Sequence, residues 1–371
     1  MPNSPDVYLD WNATAPLHQE VMEAMRGAAE LAWANPSSVH AAGRRALAVL
    51  ERTREALGKE LGVDPRDVVF TSGGTEANNL ALRHAPGIIT SRIEHPSVVR
   101  VAEAAADSGT PVHWLPVPAS GRIDPDSVSE PLRRMPRGTV VALMAVNHET
   151  GVIQPVREVS ARAQAAGARL HVDAVQAFGK MGQEGWQGAD SVSVAAHKLG
   201  GPKGIGALAC RSGLELAPVL RGGAQERGLR PGTLDAVAAA GFLAALERVP
   251  SRVAQGARLE RLRDELQRGV AGRAVVNGAD APRLPHVTNL SFFGWKGDEL
   301  VAALDLLGVR VSSGSACSSG AAEPSSVITA MLGIERARAS VRFSMGESTD
   351  ADTVQTAIEA LEQVLGRAAA S

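Results

Sequence analysis

The middle of the chain alternates short apolar runs with segments in which apolar residues recur at helical spacing. The short runs are typical of strands and cover residues 68–70, 88–89, 111–117, 139–145, 170–172, 191–194 and 205–209. Helical spacing lies between several of them, as at 99–106 and 156–166. This alternation predicts an α/β fold in which helices cover a mostly parallel, seven-stranded sheet.

The pattern changes in the last third of the chain. A helical stretch over residues 253–270 leads into a shorter region, with strands predicted at 287–292 and 340–344. The sequence therefore predicts a large domain over residues 13–255 and a smaller α+β domain over residues 256–371.

Composition and charge narrow the class of protein. The 371 residues are 44% hydrophobic, as in ordinary globular proteins, and the formal net charge is -2 with no basic run. We therefore expect no direct contact with nucleic acid. The longest apolar stretch, residues 236–246, is too short to span a bilayer, and residues 1–12 do not resemble a signal peptide. These features predict a cytoplasmic protein without a membrane anchor.

The two cysteines are too few for a disulfide framework or a cysteine-rich zinc site. The nine histidines show no metal-ligand spacing, so no metal site is expected. Cys210 lies in an apolar run and is predicted to be a small core residue. Cys317 lies among serine, glycine and alanine, which predicts an exposed loop where a thiolate can act as a nucleophile. Alternatively, Cys317 is an incidental loop cysteine.

Lys198 is the first candidate for chemistry. It lies between the apolar run 191–194 and a glycine-rich turn, in a chain with only five lysines. A partly desolvated lysine at a strand end loses its proton readily, which suits a Schiff base. The alternative is a lysine that caps the strand or pairs with a carboxylate.

Asp173 ends another predicted strand upstream of Lys198. Catalysis by pyridoxal phosphate needs a carboxylate on the pyridinium nitrogen, and Asp173 can provide it. Gln176 follows three residues later and could reach the ring hydroxyl. A lone aspartate at a strand end is more often a cap or turn residue. Asp173 followed by a lysine near a strand end is therefore stronger evidence for a cofactor site than Asp173 alone.

The stretch 68–82 is typical of a strand, a glycine turn and a helix with Thr75 near its start. Free N–H groups at such a helix start favour a phosphate. The turn has neither the Walker lysine nor the GxGxxG spacing, so an ordinary strand-to-helix turn remains an alternative. His95 follows the run 88–89 and could stack on a flat cofactor ring, or could be structural.

These motifs, taken together, resemble cysteine desulfurases of the NifS/IscS type, which are pyridoxal-phosphate enzymes with the class V aminotransferase fold (fold type I). The matching segments are residues 8–14, 35–40, 71–79, 94–96, 149–151, 173–176, 197–198, 225–227, 312–324 and 342–344. The resemblance covers nearly the whole chain. It implies that residues 1–12 pack with the C-terminal domain and that the cofactor lies in the cleft between the domains.

The resemblance also implies roles for single residues. Lys198 would hold the cofactor covalently, Asp173 the pyridinium nitrogen, Gln176 the ring hydroxyl, and His95 would stack on the ring. The other implied contacts are Gly74, Thr75, His148 and His197 for the cofactor, Thr233 for the phosphate of the partner subunit, and Asn12, Asn35 and Arg342 for the substrate. In the run 340–344, alternation places Arg342 on one strand face, where a guanidinium can hold an α-carboxylate. The alternative for Arg342 is a surface ion pair.

Two positions depart from the family pattern. His148 replaces the second of a pair of asparagines, which alters a polar contact near the ring or the substrate. Ala195 replaces a serine three residues before the lysine and removes a hydroxyl from the phosphate site. Neither change removes a group that the chemistry requires.

The implied activity removes sulfur from L-cysteine, giving L-alanine and a persulfide on Cys317. The sulfur would pass to an acceptor protein, for iron–sulfur cluster assembly or tRNA thiolation, and the enzyme would be a homodimer with shared active sites. One alternative is another pyridoxal-phosphate reaction, such as selenocysteine lysis or transamination. A second is a scaffold that keeps the fold with little turnover, which His148 and Ala195 alone support.

Overall fold

The computed structural model describes residues 6–211, 216–313 and 323–367. Its strands are β1 Val7–Tyr8, β2 Val68–Thr71, β3 Ile88–Ser91, β4 Val112–Leu115, β5 Val140–Met144, β6 Arg169–Asp173, β7 Ser191–Ala195, β8 Gly206–Cys210, β9 Val275–Val276, β10 Val287–Ser291, β11 Val309–Arg310 and β12 Ser340–Ser344. Its helices are α1 Gln19–Leu31, α2 Ala41–Leu61, α3 Gly74–Leu82, α4 Pro96–Asp107, α5 Ser129–Arg134, α6 Val156–Ala165, α7 Ala236–Glu247, α8 Val249–Ala254, α9 Gly256–Gly269, α10 Gly297–Leu306, α11 Ser326–Leu332, α12 Ile334–Arg338 and α13 Ala351–Arg367.

The large sheet has seven strands in the order β2-β8-β7-β6-β5-β3-β4. Only β8 runs against its neighbours, and the other pairs are parallel. Strands β5 and β7 are buried along their whole length, as expected for parallel strands with helices on both faces. The prediction of a mostly parallel, seven-stranded sheet is confirmed.

One predicted helix was wrong in its bounds. The stretch 253–270 is not a single helix, because α8 ends at Ala254 and α9 begins at Gly256. The N–H of Gln255 bonds to the carbonyl of Arg252, three residues back, which tightens the turn at the junction. The other predicted strands and helices differ from the structure by a few residues at their ends.

The C-terminal part has its own sheet, β12-β10-β9, which is antiparallel. Its apolar cluster is built from residues of α9, β10, α10, β11, β12 and α13, together with Val7 and Leu9 from the N-terminus. The N-terminal segment is held there because β1 pairs with β11 and the N–H of Ser344 bonds to the carbonyl of Leu9. This packing supports the expected association of residues 1–12 with the C-terminal domain, and we propose that division of the chain.

Helix α11 is an exception within the C-terminal part. Its buried side chains Val327, Ile328 and Met331 belong to the apolar cluster of the large sheet. The helix that follows the Cys317 segment therefore packs against the body that carries β6 and β7.

The carboxyl ends of the parallel strands meet at one edge of the large sheet, the usual position of sites in such folds. Gly206 lies at this edge, opposite Ala195 and Thr71. A Cβ on Gly206 would lie 2.5 Å from the carbonyl oxygen of Val194 and 2.7 Å from the Cα of Gly73. Only glycine allows the turn before α3 to approach the sheet so closely.

The helices of the described ranges are too short or too polar to span a bilayer.

Candidate active site

A cleft of about 450 Å³ opens at this edge of the sheet. Ten of the residues predicted from the sequence line it: Asn12, Gly74, Thr75, His95, His148, Asp173, Gln176, His197, Lys198 and Arg342. They come from the N-terminal segment, from turns after several strands and from β12. The size is within the range of small-molecule sites.

Lys198 reaches the cleft from a short 3₁₀ turn that follows β7 directly. Gly200 ends this turn in the left-handed conformation, with φ 70°. The Nζ of Lys198 donates hydrogen bonds to the carbonyls of Asn12 at 2.6 Å and Ala13 at 2.8 Å. The N-terminal segment thereby fixes the position of the amine.

Asp173 ends β6 and is held by a buried network. One carboxylate oxygen accepts from the N–H of Val175 at 3.0 Å, and the other from Asn78 Nδ2 at 2.7 Å. The Oδ1 of Asn78 lies 3.0 Å from Nε2 of His171, which is two residues before Asp173 on β6. Burial lowers the pKa of His171 to about 4, so this imidazole is neutral at pH 7. The network orients the carboxylate at the cleft.

His95 precedes α4 and caps it. Its Nδ1 accepts from the N–H of Ser97 at 3.1 Å and lies 2.8 Å from the Ser97 hydroxyl. Burial lowers the pKa of His95, which keeps the ring neutral. Because Nδ1 is occupied, Nε2 is the ring atom available to a ligand in the cleft. His148 lies beside it, with ring centroids 5.5 Å apart and an edge-to-face angle of 72°.

The start of α3, where the sequence predicts a phosphate, lines the cleft. A Cβ on Gly74 would lie 2.6 Å from Val175 Cγ2, so the helix start fits tightly against the turn after β6. Thr75 follows at the second helical position. His197 faces the cleft with Nδ1 3.3 Å from the Thr14 hydroxyl, and burial lowers its pKa to about 4.

Arg342 is buried on β12, so the alternative of a surface ion pair was wrong. Its Nη2 pairs with Asp10 Oδ1 at 2.6 Å, and its Nη1 donates to the carbonyl of His148 at 3.0 Å. The buried Nε has no hydrogen-bond acceptor among the described residues. Arg342 also lines the cleft, so its guanidinium is within reach of an anionic ligand there.

Gln176 and Asn12 join these groups. Gln176 Nε2 donates to the Asn12 carbonyl at 3.0 Å, and its Oε1 accepts from Lys180 Nζ at 2.8 Å. The Asn12 amide donates to the His148 carbonyl, and its Oδ1 lies 3.1 Å from His286 Nε2. The side chain of Asn12 therefore bonds to the protein, and its role toward a substrate stays a prediction.

Two of the described site residues that the sequence predicts, Asn35 and Thr233, do not line the cleft. Asn35 is exposed, and its Oδ1 accepts from the N–H of Ser37. Thr233 is also exposed, outside the cleft. Cys317 lies outside the described residues. Cys210 is buried at the end of β8, as predicted, and burial raises its pKa to about 12, which leaves the thiol unreactive.

Sequence reasoning assigned no role to Asn78, Ser97, Asp10 or Lys180, although all four lie in or beside the site. Asn78 is one helical turn beyond Gly74, so its approach to the cleft could have been found from spacing. The pairing of Asp10 with Arg342, 332 residues apart, has no local signal. Within the described residues, no group of three or more histidine, cysteine, aspartate or glutamate side chains could hold a metal.

The residues of the cleft fit pyridoxal phosphate. An amine, a carboxylate, a neutral imidazole and a helix start face one cavity, which matches the reactive aldehyde, ring nitrogen, ring face and phosphate of that molecule. Among the residues that line the cleft, two have a buried polar atom without a partner in the described chain: His148 at Nδ1 and Arg342 at Nε. Such atoms are expected where a polar ligand completes a site.

Comparison with known proteins agrees with this geometry. The sequence profile of the aminotransferase class-V family matches residues 7–356. A cysteine desulfurase IscS from Dictyoglomus turgidum is 37% identical over 97% of this chain and 94% of its own length. A NifS-like protein from Rickettsia africae superposes with a TM-score of 0.88 and 28% identity, covering 98% of this chain and 100% of that structure.

A solved structure described as SspA in complex with cysteine is 32% identical, with a TM-score of 0.80 over 92% of this chain and 99% of that one. Similarity of sequence and fold thus extends over nearly the full length. The chain therefore belongs to the aminotransferase class-V family and, within it, to the pyridoxal-phosphate-dependent cysteine desulfurases of the NifS/IscS type.

Proposed function

We propose that this protein is a sulfurtransferase that removes sulfur from L-cysteine, giving L-alanine and a persulfide on Cys317. The observation that supports this most is the meeting of Lys198, Asp173 and Arg342 in one cleft. An amine, a carboxylate and a buried guanidinium in that arrangement serve a cofactor and the carboxylate of an amino acid. SspA, a structural relative, binds cysteine in its solved structure.

We assign the cofactor contacts as the sequence suggested. Lys198 would hold pyridoxal phosphate covalently, Asp173 its ring nitrogen and Gln176 its ring hydroxyl, while His95 covers one ring face. Gly74, Thr75 and His197 would hold the phosphate, and His148 would face the ring. When bound, the cofactor supplies an electron sink that makes the Cα proton and the carbon–sulfur bond of the substrate labile.

Residues of this chain then perform the remaining tasks. Arg342 would receive the substrate carboxylate where its guanidinium lines the cleft. His95 can donate a proton at Nε2, because its Nδ1 accepts from the N–H of Ser97 and the neutral ring therefore carries its hydrogen on Nε2. Ala195 offers no hydroxyl at the phosphate end, so His197 and the start of α3 provide the described contacts there.

The sulfur step balances with a single protein thiol. The Cys317 thiolate attacks the substrate sulfur, a sulfur–sulfur bond forms and the carbon–sulfur bond breaks. The electron pair of the broken carbon–sulfur bond stays on the carbon skeleton, which gains a proton and leaves as alanine. Cysteine and a thiol thus give alanine and a persulfide, without another oxidant or reductant. A second thiol, on an acceptor protein, would then collect the sulfur.

We also propose a homodimer with shared active sites. Thr233 is exposed, and its segment is tied to α3 because Arg230 pairs with Glu76 at 3.1 Å. Large apolar side chains are exposed around the α1–α2 connection, with Trp33 at 70% and Val39 at 88%. An exposed apolar surface of this kind supports association with a second copy. The acceptor protein and the cytoplasmic location stay predictions.

The test is an assay of the purified protein with L-cysteine. The wild type should be yellow and form alanine, and mass spectrometry should find one extra sulfur on Cys317 and none on Cys210. Cys317→Ser should bind cofactor and cysteine but form almost no alanine, because the nucleophile is lost. Lys198→Ala should lose the covalently held cofactor and all turnover, since no other lysine ends an equivalent strand.

The alternatives give different results. Full cysteine turnover by Cys317→Ser would favour selenocysteine lysis or transamination. A colourless wild type that releases no alanine would favour the scaffold.

A further inference from the structure

The described residues on either side of the stretch 314–322, which contains Cys317, contact residues in or beside the cleft. At the upstream end, Ser312 forms a backbone bridge with Arg342, with N–O distances of 3.2 and 2.6 Å. At the downstream end, Ser325 precedes α11, and its hydroxyl lies 2.6 Å from Oε2 of Glu149. The upstream end is thus held by the residue that receives the substrate carboxylate, and the downstream end by a buried carboxyl group.

The Ser325 hydroxyl makes two contacts, one as acceptor and one as donor. It accepts from the N–H of Ile328 at 3.0 Å, which makes Ser325 the cap of α11. Its single hydrogen is then free to be donated to Glu149. Both residues are 2% exposed, so water does not compete for the bond. Glu149 therefore fixes the orientation of the cap.

Glu149 itself lies in a rigid turn. The Oδ1 of Asn147 accepts from the N–H groups of Glu149 at 3.0 Å and Thr150 at 2.9 Å. Asn147 Nδ2 in turn donates to the carbonyl of Ile93, two residues before His95. His148, next to Glu149, faces the cleft. The turn 147–150 therefore positions both His148, which lines the cleft, and Glu149, which bonds to the cap of α11.

The groups around Glu149 bear on how the contact is maintained. Its Oε1 lies 3.8 Å from Nε2 of His148, and the Arg342 guanidinium acts on it from β12. Burial raises the pKa of Glu149 to about 7, while the Ser325 hydroxyl and Arg342 oppose this shift. In either protonation state, one of its oxygens can accept the serine hydrogen.

We propose that Glu149 is a positioning residue for the sulfur step, holding the downstream end of the Cys317 segment to the cleft through Ser325. The proposal rests on the proposed function, because it requires that Cys317 attacks the substrate sulfur. Since α11 packs against the large sheet, this contact sets the start of α11 relative to the body that holds Lys198. Loss of the contact should slow sulfur transfer while cofactor and cysteine still bind.

The test compares variants of the full-length, cofactor-loaded enzyme. Ser325→Ala removes both contacts of the hydroxyl, and Ser325→Thr keeps them. Glu149→Ala removes the acceptor, and Glu149→Gln keeps an acceptor oxygen without the charge. Ser326→Ala changes an exposed serine on the same helix. Asp350→Ala removes a side chain that accepts from Thr353 N–H at the start of α13, and so controls for the loss of a helix cap.

Three quantities are measured for each variant: the dissociation constant of pyridoxal phosphate, the absorbance change on adding cysteine, and the single-turnover rate of persulfide formation on Cys317 by mass spectrometry. Ser325→Ala and Glu149→Ala should form persulfide about 10- to 100-fold more slowly, because small displacements of a nucleophile have effects of that size. Their cofactor affinity and absorbance change should match the wild type. Ser325→Thr, Glu149→Gln and both controls should retain the wild-type rate.

An unchanged persulfide rate in a folded Ser325→Ala would overturn the inference. So would an equal loss of cofactor affinity and persulfide rate, since that result indicates a structural role only. Failure of the proposed function is distinguishable, because the wild type would then form no persulfide on Cys317.

Discussion

Burial controls the protonation of the histidines in the cleft. His95, His148 and His197 all have lowered pKa values, chiefly because their rings are removed from water. They are therefore hydrogen-bonding groups rather than cations at pH 7. We therefore expect Arg342, whose planar guanidinium can form two parallel hydrogen bonds, to hold a substrate carboxylate.

Arg342→Lys tests this role. The lysine keeps one positive charge but cannot pair with Asp10, the His148 carbonyl and a carboxylate in the same geometry. We expect KM for cysteine to rise by about tenfold or more, since a lost charged hydrogen bond costs about 1.5–3 kcal/mol. Steady-state kinetics measure KM, and thermal unfolding of the same sample controls for stability. An unchanged KM would place the carboxylate site elsewhere.

At the scale of elements, a buried ion pair joins α2 to the turn 225–228. Arg54 contacts Glu226 through two hydrogen bonds of 2.9 and 2.7 Å, and Glu226 also accepts from the N–H of Phe70 at 2.7 Å. Strand β2 is at the edge of the large sheet, so Glu226 satisfies an edge N–H that no strand pairs. Glu226 and Arg227 both have positive φ, of 47° and 56°. Residues other than glycine rarely adopt positive φ, so the backbone of this turn is unfavourable for Glu226 and Arg227. The contacts of Glu226 stabilise it.

Arg54→Ala should destabilise the protein by about 3–5 kcal/mol, because it leaves the Glu226 carboxylate buried without its partner. Urea unfolding monitored by far-UV circular dichroism measures this loss. Arg66→Ala is the matched control, since Arg66 pairs with Asp64 at the surface, and its unfolding midpoint should stay that of the wild type. Equal midpoints for Arg54→Ala and the wild type would show that the pair contributes nothing.

At the scale of the whole molecule, folding stability should depend on pH through buried histidines. The folded pKa of His171 is about 4, below its unfolded value of about 6.5, so the native state binds fewer protons than the unfolded state between these values. Stability is therefore fully present above pH 6.5 and is lost as the pH falls toward 4. Glu149, with its raised pKa, changes stability in the opposite direction over part of this range.

The variant His171→Gln isolates the contribution of this histidine to the pH dependence of stability. The free energy of unfolding in urea, measured at pH 7 and pH 5, should fall less on acidification in this variant than in the wild type. His84→Gln replaces an exposed histidine and should show the wild-type difference. If His171→Gln loses as much stability as the wild type between the two pH values, His171 does not titrate as its burial indicates.

The sequence by itself determined the strands and helices of the large sheet, because hydrophobic periodicity is a local property of the chain. It also determined that Asp173 and Lys198 lie at or just after strand ends, since Asp173 follows the run 170–172 directly and Lys198 follows the run 191–194 after three residues. The junction at Gln255 was missed because its turn depends on backbone hydrogen bonds and not on a break in the apolar pattern.

Only the tertiary structure decided which distant residues meet. Asp10 and Arg342 pair because the N-terminal segment joins the C-terminal sheet, and no spacing along the chain encodes that contact. The packing of α11 on the large sheet and the contact of Ser325 with Glu149 likewise depend on how two apolar clusters meet. Local patterns fix each element, but the burial of their apolar faces against one another fixes the site.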